Sequence, residues 1–157
     1  MTTHAEPGPA LGLPDHAVFA LTLHHEASGE GRRGMVAVGC LIRNRVAWGR
    51  WGATVRAVCL APWQFSCWRK EGGASNYGAL VLHADALRRG GQPARLAEAF
   101  DVVGEIERGI ADPTGGADHY YAPAAMVPPG RVPPWAANVV PTAVIGRHRF
   151  YRLRVTG

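Results

Sequence analysis

The residues of this chain best suited to chemistry lie together in the stretch His24-His25-Glu26-Ala27-Ser28-Gly29-Glu30-Gly31. Two carboxylates four residues apart, followed by glycine and then an apolar run, fit an acid set at a helix end. A carboxylic acid partly buried among apolar and aromatic groups keeps its proton near neutral pH, because burial disfavours the charged form. Glu26 could therefore be a general acid, the plainer alternative being a solvated cap or ion-pair partner. Glu30 competes for the role. On a single helix the two would share one face, and each would raise the other's pKa.

Two further chemistries are open to residues in this sequence. Metal binding by His24, His25, Glu26 and Glu30 lacks the two histidines four apart that a zincin helix requires, since Gly29 stands four after His25. Neighbouring histidines also diverge on a helix, so no metal is expected, nor any other cofactor. Cys67 lies in the aromatic stretch Trp63-Gln64-Phe65-Ser66-Cys67-Trp68, with His83, His119 and His148 as conceivable bases. A buried structural thiol is the commoner role for such a residue. Trp48, Trp51, Trp63, Trp68, Tyr120, Tyr121 and Trp135 fall largely outside the helical stripes and would suit core closure or stacking on sugar rings or bases.

A chain of 157 residues fits one domain, able to bury roughly two-thirds of the surface its unfolded form exposes. The formal charge of +5 comes from sixteen arginines and Lys70 against 12 acidic residues, and it favours an anionic partner such as nucleic acid or wall polymer. No helix-turn-helix, RNA-recognition or zinc-finger pattern accompanies that charge, so nucleic acid is not expected. Three cysteines without a CxxC pair indicate reduced thiols. The N-terminal residues lack a signal-peptide pattern, and no apolar run is long enough to span a membrane. Synthesis in the cytoplasm without a signal peptide, with any export by another route, and no stable membrane insertion are the expectations.

The elements that must position these residues can be read from periodicity. Residues 1–13, rich in Pro, Gly and Ala, read as a flexible arm ahead of a single domain over 14–157. Asp15 is the expected N-cap of a first helix ending near Gly29 or Gly31. Arg33 to Ala47 follows helical spacing and is the expected buried central helix, with Arg43, Asn44 and Arg45 as its polar interruption. Gly39 within it calls for a close approach by another element. Thr54 should cap a short helix, Tyr77 to Leu87 should form another, and Pro93 should open one that runs through Leu96, Phe100, Val103, Ile106 and Ile110. His119-Tyr120-Tyr121 has strand propensity, and the tail from Val144 to Val155 could pair with it. The sum is a mainly helical α+β domain.

Four blocks then stand out in order: EASGEGRRGMVAVGCLIRNRV, TVRAVCLAPWQFSCW, DPTGGADHYYAP and IGRHRFY. Together they resemble the SleB/CwlJ-type cell wall hydrolases, the family of the spore cortex-lytic enzymes, over nearly the whole chain. The resemblance implies a lysozyme-like, mainly helical single domain with a small C-terminal antiparallel sheet, acting on the glycan strands of peptidoglycan. It places the catalytic acid on Glu26 and implies lytic transglycosylation at the bond from N-acetylmuramic acid to N-acetylglucosamine, with one glutamate as acid and then base. Glu30 would orient the site or hold the helix junction. Gln64, Ser66, Tyr120, Tyr121 and His148 would line the substrate groove, with Phe65 beside them or in the core.

The chain departs from the family pattern at Asp118 and His119, where Thr or Ser and an aromatic often precede the tyrosine pair, and at Ala122, where Asn is common. Asp118 thus offers a second carboxylate for a hydrolytic muramidase. A peptidoglycan-binding module without catalysis is a further alternative. The segment from Asn76 to Pro93 is long for the family. A stand-alone domain of this kind also fits a lysis enzyme of a phage or gene-transfer particle, released through a holin or carried in the particle.

Overall fold

The computed structural model describes residues 5–70 and 76–155. Five α-helices precede a small sheet: α1 (Asp15–Ala27), α2 (Gly31–Trp48), α3 (Val55–Leu60), α4 (Tyr77–Arg88) and α5 (Ala97–Glu107), then β1 (His119–Tyr121), β2 (Ala143–Ile145) and β3 (His148–Tyr151). The expected mainly helical α+β architecture with a late antiparallel sheet is therefore present.

The buried centre is α1 rather than α2. Every residue from Ala17 to Leu23 is buried, and α1 packs against α2, α3, α4 and α5. A helix that is apolar on all sides has no solvent face to present, so its apolar residues form no clean helical stripe. Asp15 is not the cap: Pro14 holds the N-cap position, and Asp15 is the first helical residue, where its charge complements the positive helix end. The helix stops at Ala27, and a 3₁₀ turn over Ser28–Glu30 leads to Gly31 at φ 72°. That positive φ lets α2 start at once in a new direction. Glu26 and Glu30 consequently do not share a helix face.

Gly39 meets its expected close neighbour. A Cβ at this position would collide with Cδ1 of Ile106 on α5 and press on Leu23 of α1. Thr54 caps α3 by accepting from the Ala57 amide at 3.0 Å. Pro93 sits ahead of a 3₁₀ turn (Ala94–Leu96), so α5 begins later than expected. It also ends earlier, at Glu107, because Gly109 at φ 87° reverses the chain and the amides of Gly109 and Ile110 cap the carbonyls of Ile106 and Glu105.

Residues 5–13 of the expected arm lie against the helices. Arg56 of α3 bonds Glu6 and the carbonyls of Ala10 and Leu13, while Arg88 of α4 bonds the carbonyls of Pro9 and Leu11. Ala10 and Leu13 are buried as a result.

Strand order is β1-β3-β2, antiparallel throughout, with Tyr120 opposite Phe150 and Val144 opposite Arg149. Strand alternation turns Tyr120 and Phe150 toward the helices. Tyr121 and Tyr151 face the other way, into a separate small core with Ala136 that Trp135 and Met126 cover.

Enlarging residue 39 tests the helix contact. Gly39→Leu is expected to destabilise the fold by ~1–3 kcal/mol, and trimming Ile106 to Ala in the same chain should recover part of the loss. Urea unfolding of the two single variants and the double variant measures both quantities.

Candidate active site

Glu26 stands in the last turn of α1, half-buried, and its two carboxylate oxygens have different partners. Oε1 accepts from the Cys67 backbone N–H at 3.1 Å, and Oε2 lies 3.4 Å from the Tyr120 hydroxyl. Burial raises the pKa of Glu26 and outweighs these two donors, which favour the charged form. Burial likewise holds the Tyr120 phenol protonated, so it remains a donor. The outcome is a carboxylic acid that can give up a proton and whose anion would find two hydrogen bonds waiting.

Each donor is delivered by a distinct piece of chain. Cys67 belongs to a 3₁₀ turn, Ser66–Trp68, which is fixed to α1 by the Trp68 indole donating to the buried Thr22 hydroxyl at 3.0 Å. Its thiol is fully buried and pushed well above its usual pKa by burial. A nucleophilic role is therefore closed to it, and its backbone amide is the group that matters. Tyr120 sits on β1, edge-to-face with His148 at 5.0 Å and stacked on Phe150 at 5.6 Å.

The polar interruption of α2 positions β1. Arg43 donates to the Ile110 carbonyl at 3.0 Å, Asn44 to Asp112 and the Ala117 carbonyl at 2.8 and 2.9 Å, and Arg45 to the Asp118 carbonyl at 2.7 Å. Three consecutive side chains thus clasp the loop leading into the strand. Burial pushes Asp112 upward, but donors from Asn44, Thr114 and Gly116 prevail and hold it below the usual carboxylate range. Arg45 is itself buried, with its guanidinium 4.0 Å over the Trp51 ring and bonded to Gln64 at 3.0 Å. Burial lowers its pKa to about 10.

The remaining sequence candidates separate. Asp118 is buried and fully engaged: Oδ1 accepts from His119 at 2.7 Å and from the Leu153 amide at 2.9 Å, and Oδ2 from the Arg154 amide at 3.0 Å. It fastens the C-terminal segment to β1 and makes no contact with Glu26 among the described residues. Glu30 turns to the β2–β3 hairpin, where it accepts from the Arg147 amide at 3.2 Å, and a Cβ on Gly146 would strike its carboxylate. Tyr121 belongs to the small outer core and is not beside Glu26. His148 remains close through Tyr120, and its buried Nδ1 has no partner among the described residues. Gln64 is exposed and held by Arg45, and Ser66 is half-buried one residue before the Cys67 amide.

Two cavities of about 290 Å³ each are lined in part by neighbours of these groups. One is lined by Glu30, Ala122, Ala124, Ala125, Arg147 and His148. The other includes Trp63, Phe65, Trp68 and Arg69, with the Arg69 guanidinium 4.2 Å over the Trp63 ring. Trp63 is largely exposed and holds a left-handed φ of 67°, a strained backbone of the kind that clusters at binding sites. The sequence carries no mark for the roles of the Cys67 amide and Arg45, because a backbone donor has no residue signature and Arg45 reads as a surface charge.

A raised folded-state pKa has a definite sign in stability. Ionising Glu26 is harder in the folded chain than in the unfolded one, so stability is greatest below the usual glutamate pKa and falls as pH rises through the folded value. Glu26→Gln keeps the shape and removes the charge. It is expected to melt higher than the parent at neutral pH, with the difference vanishing in acid, as differential scanning calorimetry across pH would show.

A model of the family described as cell wall hydrolase matches residues 29–151, beginning three residues after Glu26. Curated proteins give no match. Two solved structures share the fold. The catalytic domain of the germination-specific lytic transglycosylase SleB from Bacillus anthracis superposes with a TM-score of 0.64 at 24% identity, over 90% of this chain and 98% of that one. The catalytic domain of the Bacillus cereus SleB protein gives 0.65 at 24% identity, over 88% and 89%. With most of its length matched by the family model and its helices and sheet arranged as in those domains, the chain belongs to the cell wall hydrolase family.

Proposed function

We propose that this chain cleaves the glycan strand of peptidoglycan between N-acetylmuramic acid and N-acetylglucosamine by lytic transglycosylation, with Glu26 as the sole acid and base. The observation that carries this reading is a half-buried carboxyl whose pKa burial raises, with two donors on its oxygens and no second carboxylate in contact with it among the described residues. Membership of the cell wall hydrolase family and the likeness in fold to a domain described as a lytic transglycosylase support it.

The step follows from the groups present. Glu26 gives its proton to the bridging oxygen as the bond from C1 of the muramic acid breaks, releasing the N-acetylglucosamine end. The resulting carboxylate is stabilised by the Cys67 amide and the Tyr120 hydroxyl. It then takes the proton of the sugar's own 6-hydroxyl while that oxygen closes on C1. The product is a 1,6-anhydro end, and no water enters. An inverting or retaining glycosidase would need a second carboxylate across the sugar. Asp118 is a poor candidate, because both its oxygens already hold the C-terminal segment and His119. A glycan crossing Glu26 would have Trp63 on one side as a stacking face and His148 with Arg147 on the other. Residues 14–157 would make up the catalytic unit.

Digestion of purified sacculi in ¹⁸O-water tests the route. Anhydro-muropeptides without ¹⁸O, about 20 Da below the product that has taken up ¹⁸O-water, are the expected result. Glu26→Gln should lower their release by roughly 10²–10⁴-fold. Reducing ends carrying ¹⁸O would establish hydrolysis instead, and binding of sacculi without release of any fragment would establish a binding module. Tyr120→Phe removes a donor that favours the Glu26 anion, so the alkaline limb of the kcat/KM profile should move to higher pH.

A further inference from the structure

Outside the proposed site, the fold assembles a cluster of three histidines that sequence spacing hides. His24 and His25 are consecutive in the last turn of α1, and His83 comes from the middle of α4. One nitrogen from each ring lies within 4.8 Å of the others. His25 Nε2 and His83 Nδ1 are 3.0 Å apart, and the His24 ring stands edge-on to both, with centroids at 4.8 and 5.5 Å. Consecutive helical side chains normally diverge by ~100°, and here His83 occupies the angle between them. The helix Tyr77–Arg88 is the element that supplies it.

We propose that His24, His25 and His83 form a binding site for a zinc-type divalent cation. A tetrahedral ion with Zn–N bonds of about 2.0–2.1 Å sets its nitrogens ~3.4 Å apart, so the His25–His83 pair needs only to part slightly and His24 to swing in. The fourth position is left for water, since all three residues are only partly buried. Arg95 faces His24 and His83 and opposes a cation there, so the bonds must outweigh its repulsion.

Asn76 sets the orientation of His25. Its amide nitrogen lies 3.0 Å from the His25 carbonyl and 3.3 Å from Nδ1, while its Oδ1 is buried with no partner among the described residues. Turning the amide over brings Oδ1 to Nδ1–H, frees Nε2 to bind the ion, and gives up the bond to the carbonyl. Glu26 is not a ligand, since its oxygens are engaged by Cys67 and Tyr120. The bound ion would join α4 to the turn that carries the acid.

The test uses the untagged full chain, stripped with a chelator and titrated at neutral pH with Zn²⁺ and with Co²⁺. One equivalent should bind saturably, raise the melting temperature with metal concentration, and give the visible absorption of four-coordinate cobalt without thiolate charge-transfer bands. His83→Ala should weaken binding at least ~100-fold. His24→Gln, on a partly exposed side chain, should weaken it too if the first variant folds poorly. His16→Ala should leave it unchanged, as should Glu26→Gln, which separates this site from the proposed reaction. No saturable binding, equal affinity in both ligand variants, or a thiolate band would overturn the proposal.

Discussion

Two opposed influences meet on the carboxyl of Glu26: partial burial at the end of α1, which favours the proton, and the Cys67 amide and Tyr120 hydroxyl, which favour the anion. The two donors come from chain segments 53 residues apart in sequence, so neither local structure nor a single turn could supply both. Much of the architecture serves that meeting. A central helix buried on all sides gives the carboxylate a fixed base, an aromatic turn anchored on Thr22 presents the amide, and a three-stranded sheet presents the phenol.

Because a short sheet contributes little stability by itself, its position depends on the helices. Arg43, Asn44 and Arg45 hold the entering loop by its carbonyls and by Asp112, and Glu30 holds the far hairpin through Arg147. Asp118 closes the assembly by receiving the amides of Leu153 and Arg154. Asp112, Glu30 and Asp118 thus work on the backbone, and that use is visible only once their partners are known.

The helices were legible in the sequence because burial imposes a 3.6-residue period, and Gly39 and Thr54 announced a close contact and a cap. Glu26 stood out through its residue type and position before a glycine break. Three kinds of feature left no such trace. The all-apolar α1 has no polar face to mark its centrality. The helix ends at Ala27 and Glu107 depend on Gly31 and Gly109 adopting positive φ, which composition alone does not fix. Pairings such as Asp118 with Leu153, or His25 with His83 across 58 residues, arise from tertiary packing that no local pattern encodes. Tyr121 illustrates the same limit: two adjacent tyrosines look alike in sequence, and strand alternation gives one to the helices and the other to a separate core.

The pairing of β1 with β3 also orders events in time. The acid is synthesised early and can settle into α1 while the chain is still growing, yet the strand bearing its phenol is fixed only when residues 148–154 have emerged to pair with it and to meet Asp118. Domains generally form as units during synthesis. On the proposed mechanism, a nascent chain would carry Glu26 without its second donor, and the ability to cut would arrive with the C-terminal strand.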